Sequence, residues 1–242
     1  MPAQRARPPR VSHAPSTARA GRASRTSRRR GGPRKGVDSG ATRAAVLAAA
    51  ATAFSRRGFD GVTVDDIARA AGVNKAMIYY HFEDKLALYK EVVRDMLRSV
   101  GTIVAEIADR PVAADQRVAA FIAAFVQMAD QRPWFPPLML REMSEGAPRL
   151  DPETLMLMKT VFLAFGRILA DGRQAGLFRP INPILAYMSI VGPVLLNAAR
   201  ERSAARPGRV DLPMFAEVPH AELVSHMQQA ALRLLALEPS PA

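Results

Sequence analysis

Residues 63–82, TVDDIARAAGVNKAMIYYHF, carry two very short helical patterns with only Ala71-Gly72-Val73 between them. Thr63 offers a capping hydroxyl, and Asp65 and Asp66 lie in the first turn, where the helix dipole favours acids. Val64, Ile67, Ala68 and Ala71 then recur at i, i+3, i+4 and i+7, the spacing of one helix face. The pattern stops at Gly72. Asn74, a second capping residue, opens another helix that runs to about Phe82. Two short helices joined by a glycine-containing turn match the helix-turn-helix plan, whose second helix enters a DNA major groove.

Four ring-bearing residues in a row, Tyr79-Tyr80-His81-Phe82, close this second helix, and at about 100° per residue they cannot share a face. Ile78 and Phe82 fall close together and, with Val73 upstream, define a buried direction. Ala76, Met77 and Tyr80 point roughly the opposite way, while Tyr79 and His81 lie on the flanks. The outer side therefore carries Asn74, Lys75, a small alanine, a methionine and a tyrosine. That surface suits groove entry: the alanine lets the backbone approach, Asn and Lys reach base edges or phosphates, and Met or Tyr meets a thymine methyl or the backbone. His81 reads equally as a packed or capping side chain and as a base contact. Lys85, in the first turn of the next helix, reads as a solvated lysine or as part of the same surface.

Helical spacing continues on both sides. Val46, Leu47, Ala50 and Phe54 mark a helix over Thr42–Arg57, with Gly58 where a C-terminal glycine belongs. Asp84 opens a long helix through Leu86, Val93, Leu97, Val100 and Val104. Val118 to Met128 form another, followed by a short one over Trp134–Met143 and a long one from Pro152 to about Ala175. Ile181–Ala199 and His220–Leu237 supply the last two. No strand-like alternation of any length appears, so the predicted fold class is all-α. Residues 181–199 contain no charge, the length of a membrane span. Pro183, Pro193, Asn182, Asn197 and Gly192 make a poor lipid-facing helix, and a helix apolar all round also belongs in a large core or an oligomer interface.

The charge is unevenly placed. Residues 1–40 hold 11 Lys/Arg against one acid, Asp38, while the remaining residues hold 23 against 21. A basic tail on a nearly neutral body points to a polyanionic partner, most simply nucleic acid. The tail lacks the apolar run of a secretory signal. Its composition fits a disordered solubilising extension, a DNA-contacting arm or an organelle-targeting segment. The absence of cysteine excludes disulfides and thiolate chemistry and suits a reducing cytoplasm.

Thr42–Val93 closely resembles the DNA-binding domain of the TetR family of bacterial transcriptional repressors. The resemblance rests on F-x-x-x-G at 54–58, T-V-x-x-I-A at 63–68, Ala71-Gly72-Val73, I-Y-x-H-F at 78–82, and the Lys85 and Leu88 that follow. It implies an all-α homodimer: a basic tail over 1–40, a three-helix DNA-binding domain over 41–88, and a larger effector-binding and dimerisation domain over 89–240. DNA contacts would come from Asn74, Lys75, Ala76, Met77, Tyr79, Tyr80 and His81 of the recognition helix. Backbone contacts would come from Thr63, from Thr42 and Arg43, and from Lys85. Met77 stands where the family often has Thr or another small polar residue.

Beyond residue 93 the resemblance is loose. By position, 181–199 and 220–237 match the final two helices, which pair with their symmetry mates in a four-helix bundle and account for the uncharged run. The effector pocket is expected inside residues 104–176. Its candidate lining residues are Phe121, Phe125, Trp134, Phe135, Met139, Met143, Met158, Phe162 and Phe165, unless these are ordinary core. Their apolar character favours a hydrophobic or aromatic effector, with Arg141, Glu142 and Arg167 near by to receive a polar group.

An enzyme would need a nucleophile–base pair, paired carboxylates or metal ligands. His13, His81, His220 and His226 have no metal-ligand spacing, and no Gly-rich phosphate loop is present, so catalysis, cofactors and metals are not expected. A DNA-binding protein without an effector, dominated by the Arg-rich tail, is the remaining alternative. It would bind with little sequence preference and a steep salt dependence.

Overall fold

The computed structural model describes residues 39–204 and 218–237. The basic tail, apart from its last two residues, and residues 205–217 and 238–242 lie outside the described residues. Those described form nine helices and no strand, with one isolated antiparallel bridge between Phe178 and Ala236.

Helix α1 (Ser39–Arg57) begins three residues earlier than the sequence suggests. Helices α2 (Val64–Ala71) and α3 (Lys75–His81) follow, both bounded by the expected caps. The Thr63 hydroxyl accepts from the Asp66 N–H at 3.1 Å, and the Asp66 carboxylate accepts from the Thr63 N–H at 3.1 Å, closing a capping box. Gly72 takes φ +67°, a left-handed conformation that glycine adopts without penalty. Asn74 Oδ1 accepts from the Ala76 N–H at 3.0 Å. Helices of eight and seven residues are too short to persist alone, so packing must hold them. Val46, Phe54, Ile67, Ile78 and Leu88 are all fully buried and supply it.

Helix α4 (Lys85–Ala108), capped by Asp84, packs on α1 near its start and on α7 (Pro152–Gln174) further along. It runs unbroken across residue 88, the boundary expected between the DNA-binding and effector-binding parts. Helices α5 (Ala114–Gln131) and α6 (Phe135–Ser144) come between them in the chain. Helix α6 packs on both α1 and α8 (Pro183–Ala204). Helix α9 (His220–Leu235) lies on α5 and α8.

The uncharged run falls on α8 and is divided by face. Ala186, Ile190, Val191, Val194 and Leu195 are buried, whereas Ile184, Leu185, Met188 and Leu196 are exposed. No helix among the described residues is long and apolar enough to cross a membrane. Between α7 and α8 the chain turns over Gly172, where a Cβ would stand 2.1 Å from the Phe178 ring. Beyond that ring the Arg179 N–H donates to the Leu235 carbonyl at 2.9 Å, fastening the end of α9.

Asp151 caps α7 and accepts from the Thr154 N–H at 3.0 Å and the Thr154 hydroxyl at 2.7 Å, with Arg94 at 2.5 Å and Lys90 at 3.3 Å beside it. Burial alone would raise its pKa; the Thr154 and Arg94 hydrogen bonds outweigh that and hold it well below the usual carboxylate range. A depressed native pKa contributes stability in full above the unfolded value of about 4 and loses it as pH falls below that. Asp151→Ala should therefore cost about 1–2 kcal/mol near neutral pH, and urea titrations at decreasing pH should show the gap from wild type closing below about pH 4.

The rings of α3 divide as the wheel requires: Ile78 and Phe82 are 1% and 6% exposed, Tyr79 and Tyr80 49% and 75%. Phe82→Ala should destabilise by about 3–5 kcal/mol, whereas Tyr80→Ala should stay within about 0.5 kcal/mol of wild type. Equal losses in thermal melts would contradict this division.

Candidate functional site

The exposed side of α3 and its cap is formed by Asn74, Lys75, Ala76, Tyr79 and Tyr80. Met77, expected there too, is half-buried. The Lys75 ammonium donates to the Asp65 carboxylate of α2 at 2.8 Å, which raises its pKa. This exposed ion pair can exchange for another anion at little cost. Asn74 spends its carbonyl oxygen on the cap, leaving its amide donors to face outward.

The flanking residues are engaged within the fold. His81 packs edge-on to Tyr80, ring centroids 5.0 Å apart, and beside Phe82; its Nε2 is buried without a partner among the described residues. That is the packed alternative. Thr42 is 6% exposed and lies inside α1 rather than at its start, so its side chain is unsuited to a phosphate contact. Arg43 pairs with Glu91 at 2.6 Å and lies 5.4 Å from the Phe82 ring. Thr63 is exposed, but its hydroxyl is engaged in the capping box. Lys85 turns inward: its ammonium donates to the carbonyls of Phe59 and Val62, both at 3.1 Å, and stands 4.2 Å from the Phe59 ring centroid. It clamps the loop between α1 and α2 where a DNA contact is expected.

A second feature is a cavity of about 310 Å³ among α4, α5, α6, α7 and α8. Phe125, Phe135, Met139, Met143, Met158 and Phe162, all candidates from the sequence, line it. Phe121 and Phe165 do not; they are fully buried behind it, ring centroids 4.6 Å apart. Trp134 faces a separate depression beside Arg43 and Arg132, along α1 and α4.

The cavity extends beyond the expected span of 104–176: α4 adds Leu97 and Val100, and α8 adds Ile184, Tyr187, Val191 and Leu195. Tyr187 is the one aromatic residue of the uncharged run, a signal that could have marked it in the sequence. Its ring lies against Phe121, Phe125, Phe162 and Phe165, with centroids 5.8–6.4 Å away. Lys159 and Val161 complete the lining.

None of Arg141, Glu142 and Arg167 reaches the cavity. Glu142, 1% exposed, accepts from the Tyr89 hydroxyl at 2.6 Å and the Arg149 N–H at 2.9 Å. Burial, reinforced by Glu142, pushes the Tyr89 hydroxyl far above its ordinary pKa, keeping it a donor. Arg141 donates to the Phe54 carbonyl at 3.3 Å, and Arg167 pairs with Asp109 at 3.2 Å on the surface. Helix α6 thus presents Phe135, Met139 and Met143 to the cavity while its Arg141 and Glu142 hold α1 and α4.

Residues 46–92 match the family model for bacterial regulatory proteins of the TetR family, and residues 114–212 match a tetracycline-repressor-like C-terminal domain. The transcriptional regulator RutR of Escherichia coli O157:H7 is 32% identical over 145 residues, covering 59% of this chain and 67% of RutR. The negative regulator IcaR of the icaADBC biofilm operon in Staphylococcus aureus is 47% identical over 45 residues, 19% of this chain. The chain spans only 24% of IcaR's length. Among solved structures, the ketosteroid regulator KstR2 of Mycobacterium tuberculosis superposes with a TM-score of 0.64 at 22% identity, over 81% of this chain and 95% of that one. With the helix-turn-helix matched by its own family model and the C-terminal helices by a second, the chain belongs to the TetR family of bacterial regulatory proteins.

Proposed function

We propose that the protein is a ligand-responsive DNA-binding transcriptional regulator, a repressor that binds a palindromic operator as a homodimer. A small hydrophobic or aromatic effector releases it. The observation that carries this reading is α3: Lys75, Ala76, Tyr79 and Tyr80 stand exposed while Ile78 and Phe82 anchor the helix from behind. A short helix with small, cationic and amphipathic side chains outward and a rigid seat behind is suited to reading a major groove. The similarity to IcaR, a negative regulator of its operon, supports the repressor sense.

In this reading residues 41–88 bind DNA and 89–240 bind effector and partner. The cavity of about 310 Å³ is within the size of small-molecule sites. Effector entry between α6 and α7 displaces α6, and the Arg141–Phe54 and Glu142–Tyr89 hydrogen bonds carry that displacement to α1 and α4. The exposed Leu185, Met188 and Leu196 of α8 form an apolar stripe suited to a symmetric contact with a second copy, joined by α9. The basic residues 1–40 add charge that favours phosphate contact without specifying sequence.

Footprinting at moderate salt should reveal two half-sites about 34 Å apart or a multiple of that, and protection should survive deletion of residues 1–40. Diffuse protection, or its loss on that deletion, would favour a tail-dominated binder instead. Tyr80→Ala and Lys75→Ala should abolish protection while unfolding free energy changes by less than about 1 kcal/mol. Sedimentation should show a dimer, and Met188→Glu, which places a charge in the α8 stripe, should shift it to monomer.

A further inference from the structure

Of the fourteen residues lining the cavity, one is charged, Lys159. It sits on α7 in the stretch 155–165, LMLMKTVFLAF, which holds no other charge. Its helical neighbours three and four residues away are Leu155, Met156, Phe162 and Leu163, so no carboxylate on its own helix face can pair with it. It makes no ion pair or hydrogen bond among the described residues. It is exposed, as are Met143 and Ile184 of the same lining, which places it at the mouth.

The other polar group is the Tyr187 hydroxyl, which also lacks a hydrogen-bond partner among the described residues. Burial among the four phenylalanine rings pushes its pKa up to about 12, so it remains a donor. Both polar groups of the lining are therefore unmatched donors, and no acid is present to receive a cationic ligand.

We infer that the cavity takes an apolar monocarboxylate, its carboxylate paired with Lys159 at the mouth and its hydrocarbon body among the Phe, Met and Leu side chains. Tyr187 donates to an oxygen of the same ligand. A volume of about 310 Å³ holds about ten non-hydrogen atoms at water's share of about 30 Å³ each. That is the size of octanoate, with decanoate and 2-naphthoate slightly larger. The carboxylate contributes charge-assisted hydrogen bonding, and the body contributes apolar burial. This rests on the reading of the cavity as the effector site.

The test is calorimetric titration of the full chain with octanoate, decanoate and 2-naphthoate, each beside its matching primary alcohol. At least one acid should bind about tenfold more tightly than its alcohol. Lys159→Met should bring that ratio to about one, and Lys159→Arg should restore it. Met139→Trp combined with Val100→Trp, which narrows the cavity from α6 and α4 together, should weaken acid and alcohol alike. Equal affinities for acid and alcohol, or a preference untouched by Lys159→Met, would overturn the carboxylate assignment while leaving the cavity as the ligand site. Binding unchanged by the two tryptophans, or no binding by any probe, would overturn the cavity reading and this inference with it.

Discussion

Tyr89 and Glu142 form the joint on which the arrangement of the two parts depends. A carboxyl group as enclosed as that of Glu142 is costly unless hydrogen-bonded, and removing a partner from such a site costs more than the bond itself is worth. Its oxygens are met by the Tyr89 hydroxyl of α4 and by the Arg149 main chain and guanidinium. Arg149 in turn reaches Asp60 in the loop before α2 at 3.3 Å. The Tyr89 ring completes the pattern by packing edge-on against Phe54 and Phe59, centroids 5.0 and 5.3 Å away. One buried acid thus fixes the register of α6 on α4 and of both on the end of α1. The short helices α2 and α3 inherit their placement from that assembly.

In the proposed reading, the same joint would link the cavity to the DNA-reading face without direct contact between them. Met139 and Met143 lie one turn apart on α6, with Arg141 and Glu142 between them pointing elsewhere. A helix held by directional hydrogen bonds on one side and by deformable methionines on the other responds asymmetrically to a filled cavity. The methionines adapt, and the hydrogen bonds must move as a unit or break. Lys85 makes the receiving end stiff, because its clamp on the Phe59 and Val62 carbonyls leaves the α1–α2 loop little freedom.

What was legible in the sequence is local in cause. Thr63, Asn74 and Asp66 reveal themselves because a cap acts within a few residues of its own position, and Gly58 and Gly72 because a left-handed stop needs glycine. The sorting of Phe82 from Tyr80 follows from helical angle alone. The surroundings that were not legible depend on distant partners. Lys85 looks like a surface lysine until the Phe59 and Val62 carbonyls, 26 and 23 residues earlier, converge on it. Trp134, flanked by prolines, could face either side of α6, and nothing in its neighbours selects one. Helix α8 is apolar on every face, so its pattern does not distinguish the side that lines the cavity from the side left exposed. Tyr187 was lost in that uniformity.

At Gly172 the α7–α8 corner is shaped by an atom that is missing. The Phe178 ring occupies the space where a methyl group would stand, and its own backbone and the next residue tie down the last helix: Phe178 bridges Ala236, and the Arg179 guanidinium donates to the Leu234 carbonyl at 2.8 Å. The terminal helix therefore has a latch whose keyhole lies some sixty residues upstream. Any side chain filling that hole would lift the ring, slacken the bridge and loosen α9 from α5, although nothing in α9 itself had changed.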